Sequence, residues 1–359
     1  MGRILRALVV DDSTLFRKVV RDALAMLPNV EVVGVASDGE QALRQIESLK
    51  PDLVTLDLEM PLLDGLGVLT RLDQRVDSPA VVMISAQTTA GAETTTKALQ
   101  LGAIDFVVKP VQDSLAANQE ELKQSLAPIV TSVRANLSSA TASVPSTPSP
   151  LQTRKSGSLR STLPPKAIII GVSTGGPAAL GQLLPEFPAD FPKPIIIVQH
   201  MPPVFTRSLA EQLDRSCKLH VVEGEHGQVC RAGEIYIAPG ELQMGIEEFG
   251  GRVTLYTTND PPEKNCKPAV DYLFRSAAKA LGDRCVAAVL TGMGDDGLEG
   301  CKVLKRAGVK IIAQDESSSV VYGMPRQIAD HSLADAVLPL GKIADAMLEA
   351  VHHEVSKCL

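Results

Sequence analysis

The chain has 359 residues, enough for two domains of ordinary size that each bury a core. Apolar residues make up 45% and charged residues 21%, with a net charge of −7, so the basic excess that binding a phosphate backbone needs is missing and nucleic acid is excluded as a partner. Apolar runs fall well short of the roughly 18 residues of a membrane helix, and "MGRILRALVVDDS" meets acidic residues too early for a signal peptide, while Arg6 breaks the myristoylation pattern.

In chain order, apolar β-branched runs alternate with amphipathic stretches: "ILRALVV", "VEVVGVA", "DLVTL", "PAVVMIS" and "AIDFVV". These repeats, within about 120 residues, fit one doubly wound (βα)5 domain over residues 1–123. Asp11 and Asp12 follow the first strand, Asp57 follows the third in "DLVTLDLEMP", and Lys109 follows the fifth in "DFVVKP". In an open parallel sheet those strand ends share one crevice. Three carboxylates there repel one another unless a hard cation sits among them, and Mg²⁺ with retained waters suits such a donor set. A cation that also holds a phosphoryl oxygen lets Asp57 act as nucleophile and carry an acyl phosphate. A lone Asp at a strand end more often caps a helix or faces water. The specificity lies in the set, which Ser85 after the fourth strand and Lys109-Pro110 complete.

This segment resembles the receiver domain of bacterial response regulators. The resemblance implies Asp57 as phospho-acceptor, with Mg²⁺ held by Asp12 and Asp57, assisted by Asp11 and by the carbonyl of Glu59. It also implies Ser85 and Lys109 as phosphate contacts, Phe106 as a rotameric switch, and a histidine kinase as phosphodonor. The chain departs from many relatives at "SAQTT", which leaves the contact at Ala86 and Gln87 open.

From about Gln124 to Pro165 the composition turns to Ser, Thr and Pro, with Arg134, Arg154, Lys155 and Arg160 and no acidic residue. Residues 124–163 read as a linker between two net-acidic segments. Beyond it the alternation resumes with "KAIIIGV", "PIIIVQH", "KLHVVEG", "EIYIAPG", "RVTLYTT", "CVAAVLT" and "VKIIAQD". The middle three lack long helices between them and are expected as a β-meander or antiparallel edge; the others read as parallel strands. The expected fold class is therefore α/β throughout. A larger, doubly wound, mostly parallel domain with an antiparallel portion spans residues 164–359. Cys217, Cys230, Cys266, Cys285, Cys301 and Cys358 form no C-x-x-C pair and read as reduced cytosolic thiols, not zinc ligands.

"GVSTG", residues 171–175, fits the G-x-S-x-G nucleophile elbow, with a strand before and a helix after it. Pro177 suits the first helical turn, and the free N–H groups there favour negative charge near Ser173. They would equally cradle a phosphate, so this turn alone does not separate a hydrolase from a nucleotide binder. His200 alone among the histidines closes an apolar strand, about one β-α-β unit after Ser173, which places both at the ends of adjacent strands. His220 alternates within a strand, His226 and His331 fall in polar loops, and His352 and His353 belong to the tail.

"CVAAVLTGMGDDGLEG" offers Gly292, Gly294 and Gly297 as G-x-G-x-x-G, with Asp315 about twenty residues on, as a dinucleotide fingerprint would have it. Asp295 and Asp296 would repel a pyrophosphate at that helix N-terminus, and the motif lies late in the domain, so nucleotide binding becomes the minority reading. As a third triad member, Asp296 would hold the other nitrogen of His200 and stabilise the imidazolium formed as Ser173 attacks. The glycines would let the Met293 N–H face the oxyanion. The order Ser, His, Asp differs from that of α/β-hydrolases, but triad geometry does not depend on chain order.

A receiver, a linker, then "GVSTGGP", "QHMPPVFTRSLAEQL", "TGMGDDG" and "QDESSSVVYGMPRQ" together resemble one family over nearly the whole chain, the chemotaxis response-regulator protein-glutamate methylesterases, also called protein-glutamine glutaminases. The resemblance implies a cytoplasmic, monomeric phosphoprotein that hydrolyses γ-glutamyl methyl esters on methyl-accepting chemotaxis receptors and deamidates selected glutamines there. Ser173 would be nucleophile, His200 base and Asp296 orienter, with Thr174 and the Met293 N–H near the oxyanion and no cofactor for hydrolysis. An unphosphorylated receiver would cover the catalytic face. Met201, Phe205 and Arg207 follow His200 closely and either line a substrate groove or pack at a helix start.

Overall fold

Buried β-branched runs become two separate parallel sheets in the computed structural model, which describes residues 3–72, 78–86, 88–112, 114–140 and 164–352. Gln87, residues 141–163 of the expected linker, His353 and Cys358 lie outside the described residues. The chain divides into two units, Met1–Pro148 and Ser149–Leu359. No helix among the described residues is long and apolar enough to cross a membrane.

The first unit alternates β1 (Leu5–Val10), α1 (Thr14–Ala25), β2 (Val30–Ala36), α2 (Gly39–Leu49), β3 (Leu53–Asp57), α3 (Gly65–Leu72), β4 (Ala80–Ser85), α4 (Thr89–Gln100), β5 (Asp105–Val108) and α5 (Leu115–Ala140). Side-chain caps start all five helices: Ser13, Asp38, Asp64, Thr88 and Ser114 accept from the N–H groups of Phe16, Gln41, Gly67, Gly91 and Ala117. The strands order as β2-β1-β3-β4-β5, all parallel, so the topological switch falls between β1 and β3.

Residues 124–140, assigned to the linker from their composition, are helical. Leu122, Leu126, Ile129, Val130 and Val133 recur at helical spacing and are buried in one core with Val19, Val20 and Ala23 of α1. Serines, threonines and Pro128 between them hide that period from a composition count.

The second unit comprises β6 (Ala167–Val172), α6 (Gly176–Leu183), β7 (Ile195–Gln199), α7 (Phe205–Ser216), β8 (His220–Glu223), β9 (Glu234–Ile237), β10 (Gln243–Phe249), β11 (Arg252–Thr258), α8 (Val270–Leu281), β12 (Cys285–Val289), α9 (Leu298–Arg306), β13 (Lys310–Gln314), α10 (Met324–Asp330), β14 (Ala336–Leu338) and α11 (Leu340–His352). Seven strands form one parallel sheet in the order β14-β13-β12-β6-β7-β9-β8. Every residue of β6, β7 and β12 is buried, as a sheet covered on both faces demands.

The expected meander of three strands divides differently. β8 and β9 pair in parallel within the main sheet, and only β11 is antiparallel, joined to β10 in a separate hairpin. No helix is needed between β8 and β9 because their connection pairs with the hairpin: the Gly227 and Cys230 N–H groups donate to Leu255 and Val253, and Leu255 donates back to Gln228. The hairpin turns on Gly250 and Gly251, both at positive φ, which is the geometry a two-residue loop of that twist requires. Met244, Ile246, Val253 and Leu255 share a core with Leu273, Phe274 and Ala277 of α8.

Leu126→Ala should leave a cavity between α1 and α5 and destabilise the first unit by about 2–5 kcal/mol. Urea unfolding of the full chain followed by circular dichroism would show it as an earlier first transition; an unchanged midpoint would mean that this segment does not pack.

Candidate active site and phosphoacceptor pocket

The ends of β1, β3 and β5 bring Asp11, Asp12, Asp57 and Lys109 together. Carboxylate oxygens of the three acids lie within 4.8 Å of one another. The Lys109 ammonium is 2.7 Å from Asp57 Oδ2 and 3.0 Å from Asp11 Oδ2, and it stands 4.9 Å from the centroid of the Phe16 ring. Burial pushes Asp57 up to about 6; Lys109 opposes that shift and the neighbouring Asp11 adds to it. Three carboxylates against one ammonium leave two negative charges in excess, and Asp11 Oδ2 accepts no well-aligned hydrogen bond. That donor set fits a divalent hard cation such as Mg²⁺.

The other expected members are dispersed around this pocket. Ser85 closes β4, where its buried hydroxyl accepts from Thr95 of α4 at 2.7 Å, a partner the sequence did not disclose. Phe106 lies half-buried in β5, and Glu59 is exposed in the loop after β3.

In the second unit the three expected residues follow three adjacent strands, with β6 flanked by β12 and β7. Ser173 is the first residue beyond β6, held by its N–H to the Thr291 carbonyl at 3.0 Å, and its own carbonyl accepts from Gly176 N at 2.7 Å. Gly175 turns the chain at φ +77°. A methyl on Gly176 would overlap Gln199 Oε1, and one on Gly292 would come within 2.8 Å of Ser173 Cβ. Only glycine admits the close approach of these three segments.

His200 follows β7, and its Nε2 lies 2.7 Å from Asp296 Oδ2. With Nε2–H directed at the carboxylate, Nδ1 is the nitrogen left to accept a proton. Burial disfavours the imidazolium, but the hydrogen bond it donates to Asp296, with the Cys266 sulfur on the opposite side, raises His200 to about 9. Asp296 is 3% exposed and all its acceptor capacity is engaged: Oδ2 also takes Val270 N at 2.7 Å, and Oδ1 takes Asp271 N and Gly297 N, each at 2.9 Å. It therefore caps the start of α8 from outside that helix. Burial would raise its carboxyl; the His200 and backbone donors hold it below the ordinary range.

The same contacts count against the dinucleotide reading of Gly292, Gly294 and Gly297. Asp296 takes the Gly297 N–H and Asp271 Oδ1 takes the Gly300 N–H at 2.6 Å, so donors at the start of α9 are already used. The Met293 N–H makes no hydrogen bond among the described residues. Thr174 is buried, its carbonyl accepting from Thr291 Oγ1 at 2.9 Å. Met201 and Phe205 are buried and pack, whereas Arg207 is exposed and 3.4 Å from Glu223.

Three side chains at the site went unread in the sequence. Gln199 donates Nε2 to the carbonyls of Ser173 and His200 at 3.0 and 3.1 Å, clamping the two turns together. Thr291 is fixed through its N–H by Gln314 Oε1 at 2.8 Å. Cys266 Sγ stands 3.6 Å from His200 Nδ1. A polar residue ending a wholly apolar strand, as in "PIIIVQH", was the available signal for Gln199.

Residues 168–347 match the family described as CheB methylesterase, and residues 7–119 match the response regulator receiver domain. A protein-glutamate methylesterase/protein-glutamine glutaminase of Desulfotalea psychrophila is 46% identical over 358 residues, covering 97% of this chain and 98% of its own. The chain belongs to the CheB methylesterase family. Within that family, the Trichodesmium erythraeum protein of the same description is 41% identical over 349 residues, covering 96% of this chain and 99% of its own. The crystal structure of the CheB methylesterase catalytic domain of Thermotoga maritima is 41% identical with a TM-score of 0.52, covering 53% of this chain and 100% of that one. A receiver domain implies, in general terms, Mg²⁺-dependent phosphorylation from a histidine kinase.

Gly176→Ala should force the Gln199 amide off the two carbonyls and misplace the Ser173 turn. We expect kcat for ester hydrolysis to fall at least about tenfold with the circular dichroism spectrum retained; wild-type kcat in a folded variant would rule out the clamp.

Proposed function

We propose that the chain is a phosphorylation-activated protein-glutamate methylesterase, with protein-glutamine glutaminase activity at the same site, acting on methyl-accepting chemotaxis receptors. The observation that carries the hydrolytic reading is the 2.7 Å pair between His200, which follows the strand next to that of Ser173, and the buried Asp296. Ser173 Oγ attacks the γ-carbonyl carbon of the glutamyl ester while His200 Nδ1 takes its proton. Asp296 stabilises the imidazolium so formed. The free Met293 N–H, with the Thr174 segment supporting it, receives the developing oxyanion. The imidazolium returns the proton to the departing methoxide, giving methanol and an acyl-enzyme. Water, deprotonated by His200, then releases the glutamate. A glutamine amide follows the same path with ammonia as the leaving group, and neither route calls on a cofactor.

In the receiver unit, Asp57 carries the phosphoryl group donated by a histidine kinase, and Asp11, Asp12 and Asp57 with the Glu59 carbonyl hold Mg²⁺. The cation supplies charge neutralisation for transfer of the phosphoryl group. Lys109 and the Ser85 hydroxyl contact the acquired phosphoryl oxygens, and Phe106 responds to the movement of Ser85. Residues 141–163 serve as the tether between the units. Phosphorylation adds about −1.5 to −2 charge at Asp57. A tenfold activation requires only about 1.4 kcal/mol of difference between restrained and active arrangements. The reading places the protein in the cytoplasm as a monomer.

Ser173→Ala should reduce methanol release from methylated receptors by about four orders of magnitude or more with the fold intact; release at the wild-type rate would reject the assignment. For the receiver, a small phosphodonor with Mg²⁺ should label the wild type and stimulate hydrolysis, and should do neither to Asp57→Asn. Equal labelling of the two would remove Asp57 as the acceptor.

A further inference from the structure

Cys266 belongs to the segment between β11 and α8, 66 residues along the chain from His200, yet its Sγ faces the one ring nitrogen that Asp296 leaves unoccupied. The separation is 3.6 Å. In a tetrahedral zinc site, bonds of about 2.0–2.1 Å to imidazole nitrogen and about 2.3 Å to thiolate sulfur put those two atoms about 3.6 Å apart. The distance therefore equals the bite of a chelating His–Cys pair.

The other side of the ring is arranged as such a pair needs. A metal-binding imidazole ordinarily directs its second nitrogen at a carboxylate, which fixes the ring and raises its basicity. Asp296 does this for His200 at 2.7 Å. Asp296, His200 and Cys266 offer ligand atoms within 4.8 Å of one another, but the carboxylate already accepts from the backbone at Val270, Asp271 and Gly297. Its place is behind the imidazole and not on the ion. Cys266 and His200 are both partly accessible, so an ion can reach them.

We propose that His200 Nδ1 and Cys266 Sγ form a two-point chelating site for a soft, tetrahedral divalent cation of the zinc class, and that its occupation switches hydrolysis off. Soft thiolate with imidazole selects zinc over Mg²⁺, which the oxygen cluster at Asp57 prefers. Binding releases the thiol proton, and any proton on Nδ1, to solvent; no atom changes oxidation state. The ion replaces the proton that His200 must accept, so the base is lost while it stays. With only two protein ligands the remaining positions go to water, which makes the block reversible. The inhibitory half of this proposal rests on His200 acting as the base, whereas the binding half does not.

The test uses the full chain kept reduced, with Co²⁺ as a coloured stand-in for Zn²⁺. We expect a thiolate-to-cobalt charge-transfer band that saturates near one equivalent, is bleached by Zn²⁺ and is missing from Cys266→Ser. Oxygen ligands at Asp57 contribute no such band. In parallel, Zn²⁺ should slow methanol release and EDTA should restore it. Referred to each protein's own metal-free rate, the zinc concentration that halves hydrolysis should rise at least tenfold in Cys266→Ser. No band in the wild type, or a band that survives in Cys266→Ser, overturns the site whatever the hydrolysis assay gives. A band with undiminished hydrolysis at saturating zinc overturns the switch. A band in a chain that releases no methanol even without metal supports the site and counts against the hydrolase reading itself.

Discussion

The second unit is organised around one buried carboxylate. Asp296 would be costly to bury as an unpaired ion, by several kcal/mol, yet it accepts from His200, Val270, Asp271 and Gly297. Those donors come from the end of β7, the start of α8 and the turn before α9, so a single charge fixes three segments in register. Asp271 returns the relation by accepting from Gly300 in α9, and Lys264 lies 3.2 Å from Asp271 and 3.1 Å from Asp295. The His200 ring is thus oriented by a group whose own orientation is set by backbone N–H bonds. Such rigid support is what a positioned proton acceptor requires.

Topology explains why chemistry appears where it does in both units. A doubly wound parallel sheet opens a crevice where the strand order reverses. In the first sheet this lies between β1 and β3, which deliver Asp11 and Asp57; in the second it lies between β12 and β6, which deliver Asp296 and Ser173. β7 adds His200 on the far side of β6. Both sites use residues at strand ends, where the backbone is fixed by the sheet and the side chain is free to face a ligand.

Much of this was legible because strand ends are legible. Apolar β-branched runs located β1 to β7 and β12, and the polar residue after each run supplied Asp11, Asp57, Lys109, Ser173 and His200. What escaped was whatever depends on pairing between distant segments. Gly250-Gly251 marks a two-residue hairpin, but Gly245 and the consecutive Glu247 and Glu248 obscured the alternation of β10. The β8–β9 connection dispenses with a helix by pairing with β11, which no local pattern encodes. In α5 the period of Leu122, Leu126, Ile129 and Val133 was present and was overridden by the Ser-rich composition around it. Cys266 lies far from His200 in sequence, and its spacing to other cysteines excluded only metal sites of the local C-x-x-C kind.

The two sites contrast in how they hold charge, and the contrast follows from their donors. Asp296 is fixed by backbone N–H groups that cannot leave, and its carboxyl is held below the ordinary range. Asp57 is paired with a side chain, Lys109, which it shares with Asp11, and burial lifts it to about 6. A carboxylate held by one side-chain ammonium can exchange that partner, and the Ser85 hydroxyl, bonded to Thr95, can do the same. One carboxylate is therefore held by side-chain partners that can be exchanged, and the other by backbone donors that fix its orientation and its charge.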